Sequence, residues 1–137
     1  PMRFYDYRKD LARVAMSGPA TNFAMAFIAL ILYKLVLAFP AAALGLAFAF
    51  LKAFKFTFFI NLALGLFNLI PVFPLDGSQI LLGLLPHKWL DVYEKHIPFG
   101  IYIILFLVIT GMIKFIIFSP MILILNLLAK LGLILTL

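Results

Sequence analysis

The chain has no cysteine, only two histidines and only five acidic residues among its 137. Without cysteine it forms no disulfide, holds no Cys-ligated zinc and performs no thiol chemistry. Charge of either sign is scarce: 12% of the residues are charged, against about 25% in an ordinary soluble domain. What the chain has instead is apolar bulk, with 66% hydrophobic residues. A soluble fold of this size exposes too much surface to be covered by such a composition. Disorder demands the opposite balance, low hydrophobicity and high charge. These exclusions leave an integral membrane protein.

The net charge of +6 does not mark a nucleic-acid binder. Such proteins gather their basic residues on one solvated face. Here Arg3, Arg8, Lys9 and Arg13, then Lys52 and Lys55, then Lys88 and Lys95, flank apolar runs as membrane-end anchors do. A crossing of roughly 30 Å takes about 20 apolar residues. Residues 20–39, 56–73 and 99–118 meet that length, with Lys34 and Lys114 as their only charges. The tail 120–137 is apolar enough either to span or to lie in the interface. Residues 40–51 are too short to cross and suit a re-entrant or interfacial piece. Residues 1–18 read as a membrane-surface lead-in, placed in the cytoplasm by their four basic residues, and 86–98 as a polar loop. The expected fold is all-α: a polytopic transmembrane helical bundle of three spans, with a fourth left open, forming one membrane-embedded domain over 1–137.

Asp76 is the only acid between residues 11 and 90. Ionisable groups at membrane depth are costly and usually mark a site or pathway. Two prolines, Pro71 and Pro74, precede it inside an otherwise spanning run. Each removes a backbone donor and pushes the residue before it toward extended geometry. The helix should therefore stop near Asn68 or Ile70 and run extended through 71–76. Irregular backbone at that depth is tolerated where it is buried in protein or lines a wet cavity. A carboxylate beside such a break can ligate a metal or bind substrate. It can equally cap a helix, since Asp76-Gly77-Ser78-Gln79 has the form of a capping box. Asn68 has a plain alternative as a helix terminator. Ser17-Gly18-Pro19-Ala20-Thr21-Asn22 reads as a helix start, with Ser17 or Gly18 as cap and Pro19 in the first turn. His87 and His96 lie nine residues apart, not at the i, i+4 spacing that aligns two imidazoles on one helix face. With Trp89 and Tyr93 they suit an interfacial loop with an aromatic belt.

The stretch FNLIPVFPLDGSQILLGLLP resembles the N-x-x-P…L-D-G signature of site-2 proteases, the intramembrane zinc metalloproteases of peptidase family M50. KDLARVAMSGPATNFAMAF is similar to the A-G-P-x-x-N segment of that family, with Ser17 where alanine is usual. The two motifs come in the family's order, and the best likeness is to compact prokaryotic members without an inserted PDZ domain. The resemblance implies a prokaryotic cell-membrane enzyme that hydrolyses peptide bonds of membrane-embedded substrates with Zn2+. It implies that Asp76 is a zinc ligand and that Asn68 helps hold substrate or the developing oxyanion. Gly18, Pro19, Asn22, Pro71, Pro74, Leu75 and Gly77 would then be structural residues around the site. An extended segment near Pro71–Leu75 is expected to pair with unwound substrate.

The departure is equally specific. The family's other two zinc ligands and its general base belong to an H-E-x-x-H helix, and these 137 residues contain no such motif. In the family it precedes G-P-x-x-N. The chain thus reads as the C-terminal part of a site-2-type domain, expected to be inactive and to hold no stoichiometric zinc by itself, since catalytic zinc takes three protein ligands. Two other readings stay open: a degenerate member that binds transmembrane helices without cutting them, and an unrelated small transporter or structural bundle.

Overall fold

The structure is a computed structural model. It describes residues 4–38 and 45–133, with side chains from residue 7 onward. Arg3, the Asp6 carboxylate, residues 40–44 of the expected short piece and residues 134–137 of the tail lie outside the described residues. The described residues are all helical or turn, with no strand among them.

Helix α1 runs Phe4–Ala38, about 52 Å at 1.5 Å per residue. The expected surface lead-in is therefore continuous with the first span, and Pro19 lies inside the helix rather than at its start. Proline leaves the Ala15 carbonyl without its donor from four residues on, and two hydroxyls bond other carbonyls of the same stretch. Ser17 Oγ donates to the Val14 carbonyl at 2.6 Å, and Thr21 Oγ1 to that of Ser17 at 2.7 Å.

Helix α2 spans Gly45–Asn68. It fuses the second half of the expected 40–51 piece with the expected 56–73 span, and it ends at Asn68, within the predicted limits. A break at 69–75 leads to the short helix α3, Asp76–Leu84. Residues 86–98 are not a loop: α4 covers His87–Glu94 and a single 3-10 turn covers Ile97–Phe99. Helix α5, Gly100–Ile109, and helix α6, Met112–Lys130, divide the expected 99–118 span. The divider is Gly111, with φ of 74°, a left-handed conformation open to glycine and costly for other residues. The tail expected from 120 is thus the second half of α6. Among the described residues, four stretches are long and apolar enough to cross a membrane: Tyr7–Ala38, Gly45–Asn68, His87–Ile109 and Met112–Lys130.

The core joins α1, α2 and α6. Ala26, Ala29 and Leu30 meet Phe58 and Leu62, and Met121 closes the cluster. Alanines on α1 let the Phe58 ring approach closely. Gly65 does the same further along, where a Cβ would stand 2.8 Å from the Phe23 ring. The pairs Gly65 with Phe23 and Phe58 or Leu62 with Ala26 or Leu30 set α2 antiparallel to α1. Lys34, the one charge of the first apolar run, donates to the Gly132 carbonyl at 2.7 Å beyond the end of α6. The cation neutralises that helix C-terminus and holds the C-terminal ends of α1 and α6 together. Large apolar side chains such as Phe48, Phe56, Phe106, Phe115 and Leu123 stay exposed. In water that surface would be an aggregation hazard; in a bilayer it meets hydrocarbon.

Candidate functional site

The break between α2 and α3 is compact rather than extended. Val72 N–H donates to the Ile70 carbonyl at 2.8 Å, and Leu75 N–H to that of Val72 at 3.0 Å. The second bond closes a turn containing the cis Phe73–Pro74 bond, the arrangement of a type VI turn. The expectation of an extended run through 71–76 is overturned. With prolines at 71 and 74 withholding two donors, the remaining N–H groups reach their nearest carbonyls by turning. A segment folded on itself offers no free edge, so the expected strand pairing with substrate at Pro71–Leu75 loses its basis.

Gly77 is required by this turn. A Cβ there would overlap the Leu69 carbonyl and stand 2.5 Å from the Ile70 oxygen. Ser78, fully buried, donates its hydroxyl to the Leu75 carbonyl at 2.8 Å. From the other side, Tyr93 on α4 donates its hydroxyl to the Pro71 carbonyl at 2.9 Å. Gly100, at the start of α5, lies directly against the Phe73 backbone, with a Cβ position only 3.0 Å from Phe73 Cβ. The break is therefore held by α3 from within and by α4 and α5 from outside.

Asp76 is not a helix cap. Leu75 holds the N-cap position with φ −73° and ψ 154°, and no side chain caps the helix. Asp76 is the first helical residue, where the helix dipole favours a carboxylate. Neither arm of the expected capping box forms. Asp76 is only half-buried, and its carboxylate has no hydrogen bond or ion pair among the described residues. Its oxygens face α1: a Cβ placed at Gly18 would overlap Asp76 Oδ2 and stand 3.2 Å from its Cγ. The G-P-x-x-N segment and the L-D-G segment, 58 residues apart in sequence, thus meet at Gly18 and Asp76.

The remaining site residues fall as follows. Pro19 is fully buried. Asn22 lies one turn beyond Gly18 on the same face of α1, by i, i+4 spacing. Asn68 is the last residue of α2. The Asn68 and Asn22 amides make no hydrogen bond among the described residues, so Asn68 ends α2 without satisfying its orphan carbonyls. His96 Nδ1 lies 2.7 Å from the Val92 carbonyl one turn back, and His87 opens α4. Neither histidine is brought to Asp76: no group of three His, Cys, Asp or Glu is placed to hold a metal ion among the described residues. Asp76 fits as one oxygen donor of a metal site but does not complete one.

Two contributors were not foreseen as such. Arg8, read as a topology signal, donates to the carbonyls of Leu82 and Leu85, the latter at 3.1 Å. Its cation thereby serves the α3 C-terminus. Gly83 abuts Ala12 and stands, as a Cβ position, 3.0 Å from the Arg8 carbonyl. Tyr93, read as a belt aromatic, is the strap on Pro71.

The family model of peptidase family M50 matches residues 37–111. The chain belongs to peptidase family M50. The matched stretch contains Asn68, Pro71, Pro74, Asp76 and Gly77, the whole of the break and the start of α3. The Gly18–Asn22 segment lies outside the match and joins the site through the packing of α1 on Asp76. No curated protein and no solved structure matches the chain. An M50 chain with these apolar helices is an integral membrane protein of a metallopeptidase family.

Proposed function

We propose that the chain carries the aspartate arm of an intramembrane zinc metalloprotease of the site-2 type, cutting membrane-embedded peptide substrates in a prokaryotic cell membrane. One observation supports this above the rest: the Asp76 carboxylate begins α3 uncapped and unpaired, in the M50-matched stretch, where its oxygens remain open to a ligand. A cap would have spent them. Zinc, when bound, supplies Lewis-acid polarisation of a peptide carbonyl and lowers the pKa of water to about 7.

The residues of this chain do the surrounding work. Asp76, at a helix start, would offer one oxygen to the metal. The packed break at 69–75, fixed by Gly77, Ser78, Tyr93 and Gly100, sets where that oxygen stands. Asn68, whose amide is unspent at the end of α2, offers a donor to a substrate carbonyl or developing oxyanion. The remaining donors and the general base are assigned to an H-E-x-x-H helix outside the 137 residues.

Sequencing the coding DNA ahead of Pro1 tests this first. An apolar helix with H-E-x-x-H is expected there; a preceding segment with those histidines or that glutamate replaced would overturn the assignment in favour of helix binding without cleavage. In the complete protein, about one zinc per chain is expected, lost in Asp76→Ala. Full zinc occupancy and cleavage in Asp76→Ala would sink the role of Asp76.

A further inference from the structure

The contact between Gly18 and Asp76 carries a consequence that the family match, which begins at residue 37, does not reach. Three contacts fix α3 against α1. At one end Arg8 holds the carbonyls of Leu82 and Leu85. In the middle Gly83 lies on Ala12. At the other end the Asp76 carboxylate occupies the space a side chain at residue 18 would need. The first two set the register, and the third decides which way the carboxylate can turn. A Cβ at Gly77 or Gly100 would strike backbone, which cannot yield. A Cβ at Gly18 would strike the free end of a short side chain, which can yield by rotating about its own Cα–Cβ bond.

We propose that Gly18 is the positioning residue for Asp76: the notch it leaves in α1 selects the carboxylate rotamer from which Asp76 reaches its ligand. This rests on the reading of Asp76 as a metal ligand. A methyl group at residue 18 displaces the carboxylate while leaving the helices in place, so metal retention falls, and any change in stability depends on the Asp76 side chain being there. Outer partners that orient a ligand are typically worth about 10–100-fold in metal affinity.

The experiment compares Gly18→Ala, Asp76→Ala and the double variant in the complete membrane-inserted protein. Zinc retention against a graded chelator and the thermal midpoint of the zinc-free protein are read for each. Gly18→Ala should lose about 10–100-fold in zinc affinity. The change it makes in the zinc-free midpoint should be less favourable in the Asp76 background than in the Asp76→Ala background, because the helix-propensity gain of alanine is common to both and the overlap exists only with the carboxylate. A purely structural glycine would lower the midpoint equally in both backgrounds, and that result overturns the proposal. So does unchanged zinc retention in Gly18→Ala. If Gly18→Ala does not fold, folding of the double variant supports the proposal and its failure overturns it. The two readings fail separately. Zinc kept by Asp76→Ala removes the ligand role itself. Zinc lost by Asp76→Ala but kept by Gly18→Ala removes only the notch.

Discussion

Replacing Asp76 should separate stability from function, and the size of the separation follows from its surroundings. A side chain that caps a helix costs about 0.5–2 kcal/mol when removed, and asparagine or serine recovers most of it. Asp76 makes no cap hydrogen bond, and the N-cap position belongs to Leu75. Only the interaction of its charge with the α3 N-terminus is left to lose, about 0.3–1 kcal/mol. Asn and Ala abolish that charge alike, and neither sacrifices a hydrogen bond. Asp76→Ala and Asp76→Asn should therefore lie within about 0.5 kcal/mol of each other in stability, each no more than about 1 kcal/mol below the native chain. Both should lose zinc and cleavage. Equilibrium unfolding of the zinc-free complete protein in detergent, beside zinc content and cleavage of a membrane substrate, measures all three. A loss of about 2 kcal/mol in Asp76→Ala that Asp76→Asn restores would refute the reasoning, because it is the signature of a cap.

Gly77→Ala places a methyl against the Leu69 and Ile70 backbone and should cost about 1–3 kcal/mol by overpacking, seen as a lowered unfolding midpoint. Tyr93→Phe keeps the ring and removes only the bond to the Pro71 carbonyl, so about 0.5–1.5 kcal/mol should go and the fold should persist. Arg8→Met strips two charge-assisted bonds from the α3 C-terminus. Bonds to charged groups are worth about 1.5–3 kcal/mol, but the guanidinium also buries an Nε without a partner, whose removal offsets part; a net loss of about 1–3 kcal/mol is expected by the same unfolding assay. His87→Ala and His96→Ala should leave zinc content and cleavage unchanged, since neither imidazole is brought to Asp76; loss of zinc in either would make the 87–96 stretch part of the site.

What the sequence made legible was local. The apolar runs, the end of α2 near Asn68 and the break before Asp76 all follow from composition and from two prolines with fixed geometry. Other boundaries were not legible. Pro19 reads as a helix start, yet α1 runs on through it, its ring fully buried. Gly111 was hidden because an apolar run says nothing of the φ of one glycine within it. The capping box at Asp76 failed although its residues were right, because Pro74 and the turn at 72–75 place Leu75, not Asp76, in the extended geometry a cap needs. Arg8 left a clue in its target. Helix α3 ends at Leu84, with Leu85 as its C-cap before Pro86 and no glycine to return its last carbonyls to the chain, so an outside donor was called for. Which arginine would supply it depends on contacts across 74 residues, beyond the reach of local pattern.

The meeting of Gly18 and Asp76 also fixes a depth. Measured along α1, the carboxylate stands level with residue 18, five residues past Arg13 and sixteen short of Lys34. At 1.5 Å per residue those intervals are about 8 Å and about 24 Å. Asp76 therefore does not sit midway between the charged ends of α1 but about three times nearer to Arg13 than to Lys34. If Asp76 is the metal ligand proposed above, water, a metal ion and the cleaved ends of a substrate would have the shorter passage on that side, and the peptide bond to be cut would have to come within reach of that end of α1.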